Sequence, residues 1–126
     1  MIKNRKFFIK NLKNVIFIGY SDAFSELIEI NNLLNLNTLI ISSSDQSKKI
    51  NKKFEFKIFD KLTPKFYKFI KSKFDTKKTI FISLGARYIF KKNTIKSLFS
   101  NNLVNFHSSR LPLDAGGGVM SAVAVD

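Results

Sequence analysis

The stretch that decides the fold is Val15-Ile16-Phe17-Ile18, a continuous apolar run that ends at Gly19-Tyr20-Ser21-Asp22. Such a run, closed by a turn, is typical of a strand that is buried on both faces of a parallel sheet. Ser21 or Asp22 can then cap a helix. The apolar residues of this helix largely follow a period of about 3.6 residues; they are Phe24, Leu27, Ile28, Leu33 and Leu34.

Strand and helix patterns alternate along the rest of the chain. Further strands are predicted at 36–41, 54–58, 79–84 and 103–106, and the polar segment 42–47 is predicted as a loop. Alternation of apolar and charged residues marks 54–58 as a half-exposed edge strand. Thr63-Pro64 predicts the start of a second helix, and a third, short helix precedes the last strand. We therefore predict an α/β fold, a Rossmann-like and mostly parallel sheet with flanking helices.

Length and composition limit the class of protein. A chain of 126 residues, 44% of them hydrophobic, has the size of one domain with one core. No apolar run approaches the roughly 18 to 20 residues of a membrane span. Since there are no cysteines, disulfides, thiolate catalysis and cysteine-rich metal sites are excluded. We expect a cytoplasmic protein with no metal site and no membrane partner; the sequence does not indicate its oligomeric state.

The formal net charge of +13 raises the question of nucleic acid binding. Base-reading and phosphate-clamping surfaces favour arginine, and only Arg5, Arg87 and Arg110 are present. The lysines recur along most of the chain, which favours a solvated, compositionally biased surface. A contribution to binding an anionic substrate stays open.

The candidate chemistry lies in Asn105-Phe106-His107-Ser108-Ser109-Arg110-Leu111-Pro112. Strand alternation predicts that Asn105 and His107, the only histidine, lie on one side of the last strand, at its carboxyl end. In open parallel sheets, sites form at that end. An amide donor can hold a developing oxyanion there while an imidazole transfers a proton near neutral pH.

These eight residues read N-x-H-x-S-x-L-P, which resembles the signature of the folate-dependent formyltransferases. The resemblance covers residues 14 to 118 and implies formyl transfer from 10-formyltetrahydrofolate to a substrate amine. It implies that Asn105 donates to the formyl oxygen, that His107 helps to stabilise this oxygen and moves protons, and that the segment Ser109, Arg110, Leu111 and Pro112 forms a wall against the folate. No metal ion or covalent enzyme intermediate is implied.

Two other segments take their expected roles from the same resemblance. The segment after the fourth strand, Ala86, Arg87, Tyr88 and Ile89, corresponds to the family's pterin-lining segment. Gly19, Tyr20 and Ser21 resemble the first strand-to-helix turn of methionyl-tRNA and sugar formyltransferases, and are expected to contact the acceptor substrate. Because only one glycine stands there, the G-x-G-x-x-G pattern of dinucleotide binding is absent.

The chain also departs from the family. Ala115 stands where a basic residue is common, and Gly116-Gly117-Gly118 replaces a segment with proline, which favours an amino-sugar acceptor over tRNA. The family's third catalytic residue is an aspartate beyond the histidine, and neither Asp114 nor Asp126 matches it. We expect a basic extension at 1–13, a partial formyltransferase N-terminal domain at 14–118, a truncated or altered end at 119–126, and no activity in the chain as it stands.

The predicted function is thus that of a part of an N-formyltransferase acting on a nucleotide-linked amino sugar. A fragment of a methionyl-tRNA formyltransferase is the alternative within the family, and only that acceptor would make a specific nucleic acid a partner. A small basic nucleic-acid-binding domain and a non-catalytic remnant are the alternatives from other classes.

Overall fold

A computed structural model describes residues 9–108 and 120–124. Within them the chain forms six strands, namely β1 (Asn14–Gly19), β2 (Asn37–Ser42), β3 (Phe56–Ile58), β4 (Thr79–Leu84), β5 (Leu103–Ser108) and β6 (Met120–Ala124). Four α-helices accompany them, namely α1 (Phe24–Leu33), α2 (Ser44–Ser47), α3 (Pro64–Lys73) and α4 (Lys92–Ser97). A single 3-10 turn, Thr76–Lys78, leads into β4.

The strands lie in one sheet in the order β3-β2-β1-β4-β5-β6. Neighbouring strands from β3 to β5 are parallel, and β6 is antiparallel to β5. The prediction of an α/β fold with a mostly parallel sheet is confirmed, and β3 lies at the edge as expected. Because the chain moves outward from β1 in both directions, the strand order reverses between β1 and β4.

Helices cover both faces of the sheet. On one face, α3 and α4 bring Phe66, Ile70 and Leu98 onto the buried residues Ile16 and Phe81. On the other, α1 packs Phe24 and Ile28 against Val15, Phe17 and Ile40. The continuous apolar run of β1 is therefore buried on both of its faces, which is the environment that its composition predicts.

Helix α1 differs from the sequence-based prediction. Its buried stripe is Phe24, Ile28 and Asn31, whereas Leu33 and Leu34 are 78% and 63% exposed. Asn31 takes the inward position because its amide donates to Thr38 Oγ1 of β2 at 3.2 Å. The predicted capping is also wrong, since the helix begins after Ala23 without a side-chain cap.

Other boundaries differ because of contacts between distant segments. The predicted loop at 42–47 contains the short helix α2, with Ser43 as its N-cap. Strand β5 does not end at Phe106 but continues to Ser108, since β6 pairs with it from Val104 onward. No helix among the described residues is long and apolar enough to cross a membrane. Residues 1–8 of the predicted extension at 1–13 lie outside the described residues.

Candidate functional site

Two of the predicted site residues, Gly19 and Asn105, lie in adjacent rows that cross the carboxyl end of the parallel sheet. Ile18 of β1 is in register with Ser83 of β4, which is in register with Asn105 of β5. The next row contains Gly19, Leu84 and Phe106. One strand therefore separates the predicted acceptor turn from the predicted catalytic strand, and the segment that follows this strand is the predicted folate loop.

Asn105 lies on the α3 and α4 face of the sheet. It is two residues after the fully buried Leu103 of the same strand, so both side chains leave β5 on one face. Asn105 itself is half-buried. An amide in this position is close enough to the sheet's end to meet a ligand and is enclosed enough for its hydrogen bonds to matter.

His107 is two residues further along β5, where its backbone is in register with Ser121 of β6. The described structure does not include its side chain, and it does not include Ser109, Arg110, Leu111 and Pro112. The roles predicted for these residues are not tested by the fold.

Ser83 is an unusual residue in this row. It is fully buried, and its hydroxyl has no hydrogen-bond partner among the described residues. A buried hydroxyl without a partner costs about 1–3 kcal/mol. Within an otherwise apolar row, the only polar side chain beside it is that of Asn105.

The turn after β1 packs tightly against the turn after β4. Gly19 has φ +113°, and a Cβ atom there would lie 2.1 Å from the carbonyl oxygen of Leu84. The Tyr20 amide donates to this oxygen at 2.8 Å, and the Ser42 hydroxyl donates to the Gly19 carbonyl. Gly19 is thus required for the close approach of two turns at the position where the strand order reverses.

The other two residues of the predicted acceptor turn bond within the turn itself. The Tyr20 hydroxyl donates to Asp22 Oδ1 at 2.8 Å, and this bond raises the pKa of Tyr20. The Ser21 hydroxyl accepts from the Ala23 amide at 3.1 Å. The hollow beside them, which Lys49 and Asn51 also line, measures about 80 Å³. Ligand pockets usually enclose roughly 300 Å³ or more, so this hollow fits only a small group of a substrate.

The predicted folate loop is partly a core element. Tyr88 packs against Phe66, and its hydroxyl donates to the Phe59 carbonyl. Burial, together with the charge of Asp60, raises the pKa of Tyr88 to about 12. Ala86 also packs against this core, whereas Ile89 is 85% exposed. Of the four predicted folate contacts in this loop, Ile89 and Arg87 are therefore the two with exposed side chains.

Helix α2 holds the turns at this end of the sheet, a part that the sequence does not predict. Gln46 Nε2 donates to the Gly85 carbonyl at 2.8 Å, and Asp45 pairs with Arg87 at 3.4 Å. Asp60 in turn accepts from the Ser44 amide, which lowers the pKa of Asp60. The available signal was the density of hydrogen-bonding side chains in 42–47, although it does not show which distant loop they reach.

A larger groove lies away from these residues. It measures about 630 Å³ and runs between α1 and the start of β2, with Glu29, Asn32, Lys53 and Glu55 among its lining residues. None of the predicted site residues that the structure describes lines it. Among the described residues, no group of three or more histidine, aspartate or glutamate side chains is arranged to hold a metal ion.

Comparison with known proteins adds no relative: no protein-family model, curated protein or solved structure matches this chain.

Proposed function

We propose that this domain binds 10-formyltetrahydrofolate and supplies part of the site for formyl transfer to a substrate amine. The observation that carries the proposal is the position of Asn105 at the carboxyl end of the sheet, in register with Ser83 and one strand from the β1–β4 reversal. Open α/β sheets bind their ligands at this place. The proposed compartment is the cytoplasm.

In the proposed reaction, the nitrogen of the substrate amine attacks the formyl carbon. A tetrahedral intermediate forms, and its negative oxygen accepts a hydrogen bond from the Asn105 amide. The bond from the formyl carbon to N10 of the folate then breaks, and a proton passes from the amine to N10. His107 is the proposed carrier of that proton, since an imidazole exchanges protons near neutral pH.

The proposed acceptor is a nucleotide-linked amino sugar. The residues that support it are Ala115 and the glycine run at 116–118, which stand in place of a basic residue and a more rigid segment. Methionyl-tRNA is the alternative acceptor. Displacement of a bound, labelled 4-amino-4,6-dideoxysugar nucleotide distinguishes them. We expect the unlabelled sugar nucleotide to displace the label and methionyl-tRNA to leave it bound.

Isothermal titration calorimetry with two folates tests the binding site for the formyl donor. We expect saturable binding of 5-formyltetrahydrofolate, a stable isomer of the donor, and of tetrahydrofolate. Asn105→Ala removes one hydrogen bond to the formyl oxygen, so it lowers the affinity for the formylated ligand roughly 3- to 10-fold and leaves tetrahydrofolate unchanged. Asn93→Ala, an exposed asparagine on α4, is the matched control.

Two outcomes contradict the proposal. One is the absence of saturable binding of either folate to the wild-type chain. The other is an equal loss of affinity for both folates in Asn105→Ala, since this would show that the amide does not discriminate the formyl group.

A further inference from the structure

We infer that Ser83 is a positioning residue, whose hydroxyl orients the side-chain amide of Asn105. This inference rests on the proposed function for its consequence in ligand binding, but the contact between the two side chains can be tested without a ligand.

Within the sheet, Ser83 has one possible side-chain partner. Along β4, the neighbours on the same face are Phe81, which is apolar, and Gly85, which has no side chain. Across the sheet they are Ile18 on one side and Asn105 on the other. Among these four positions, only Asn105 offers an acceptor for the hydroxyl proton.

The reach of the two side chains fits such a bond. Adjacent strands lie about 4.8 Å apart, and residues in register direct their Cβ atoms to the same face. A serine and an asparagine at that spacing come within hydrogen-bond distance by rotation about their side-chain bonds. This rotation gives the buried Ser83 hydroxyl the partner that it lacks among the described residues.

The direction of the bond has a consequence for chemistry. An asparagine amide presents an oxygen on one side and an NH₂ group on the other. If the Ser83 hydroxyl donates to Oδ1 of Asn105, then Nδ2 is turned away from β4 and keeps both of its protons for a ligand. Without the hydroxyl, the amide is free to turn its oxygen toward the ligand, which repels a developing oxyanion.

The first test is the side-chain amide signal of Asn105 in NMR spectra of the ligand-free chain. We expect Ser83→Ala to shift this NH₂ signal and Ser97→Ala, an exposed serine on α4, to leave it in place. Thermal unfolding serves as the check on a purely structural role. We expect Ser83→Ala to unfold close to the wild-type temperature, because the substitution removes a buried hydroxyl together with the single bond that it makes.

The second test is a double-mutant cycle on the affinity for 5-formyltetrahydrofolate. Ser83→Ala lowers this affinity roughly 3-fold or more in the wild-type background and has no effect in Asn105→Ala. An unmoved Asn105 signal, or equal losses in both backgrounds, overturns the role of Ser83. A shifted signal in a chain that binds no folate supports the positioning and overturns the proposed function instead.

Discussion

At the scale of single residues, two glycines at the carboxyl end of the sheet both have positive φ angles, but their surroundings differ. Gly19 has φ +113° and the carbonyl of Leu84 where a side chain would be, whereas Gly85 has φ +62° and its nearest neighbour 3.4 Å away. We expect Gly19→Ala to lower the free energy of unfolding by about 3 kcal/mol or more, since the two turns must separate. Gly85→Ala is the matched control, with an expected loss of about 1 kcal/mol from backbone strain alone.

Chemical denaturation of both variants measures the difference. Equal losses in the two variants would show that the contact between the turns after β1 and β4 is not tight.

Tyr88 makes the free energy of unfolding fall at alkaline pH. Its pKa in the folded chain is raised to about 12, because burial and Asp60 both disfavour the phenolate. The neutral phenol therefore contributes its full stabilisation below about pH 10, the value of an unperturbed tyrosine, and loses it as the pH rises through about 12. We expect the wild type to lose more stability than Tyr88→Phe over this interval.

The comparison requires urea denaturation of both proteins from neutral to alkaline pH, because the two proteins differ in no other titratable group. At neutral pH, Tyr88→Phe should unfold about 1 kcal/mol more easily, since it gives up the bond to the Phe59 carbonyl. The difference in tyrosinate absorbance between the wild type and Tyr88→Phe reports the ionisation of Tyr88, and a midpoint near pH 10 would contradict the account.

At the scale of elements, α2 ties the end of β2 to the end of β4 through Gln46 and Gly85. We expect Gln46→Ala to cost about 1 kcal/mol of unfolding free energy and to speed hydrogen exchange at the Tyr20 amide, which lies in the same group of turns. Ser47→Ala is the control, because the hydroxyl of the half-buried Ser47 bonds to the Ser44 carbonyl of its own helix. Unchanged exchange at Tyr20 would mean that the turns open independently.

The strands could be predicted from the sequence because their signals are local. The run at β1 and the alternation at β3 each carry enough information within a few residues, and β4 was predicted over its full range, 79–84. Features that depend on distant partners were missed. Asn31 is buried because Thr38 accepts its amide proton, and β5 extends past Phe106 because β6 supplies a partner.

The candidate site likewise contains features with local sequence signals and features that depend on distant residues. The motif around Asn105 and the turn at Gly19 are short and were found from the sequence. The roles of Ser83 and Gln46 depend on neighbours that are distant in the chain. Asn105 is 22 residues from Ser83, and Gly85 is 39 residues from Gln46. A lone serine in the strand Thr79–Leu84 reads as an ordinary strand residue until the register is known.

At the scale of the whole molecule, the long helices on the two faces of the sheet differ in charge. Residues 14–47, which include α1, contain four acidic residues and no lysine or arginine. On the opposite face, α3 and α4 carry six lysines and no acidic residue. The layer of α3 and α4 is therefore a basic surface, and α1 faces the other way.

This division leads to a prediction about nucleic acids. We expect duplex DNA and RNA to bind without sequence preference and with dissociation constants of roughly 1–100 μM near physiological salt, because lysines on one face contact phosphates and do not read bases.

Lys68→Glu with Lys71→Glu, on α3, should weaken this binding and flatten its salt dependence. The pair Lys48→Glu and Lys52→Glu changes the net charge equally, but it lies beside Ile50, which packs on the α1 face. Fluorescence polarisation over a salt series separates the two pairs. Equal effects would show that net charge alone matters, and nanomolar, sequence-selective binding would favour a nucleic-acid-binding domain over a folate enzyme.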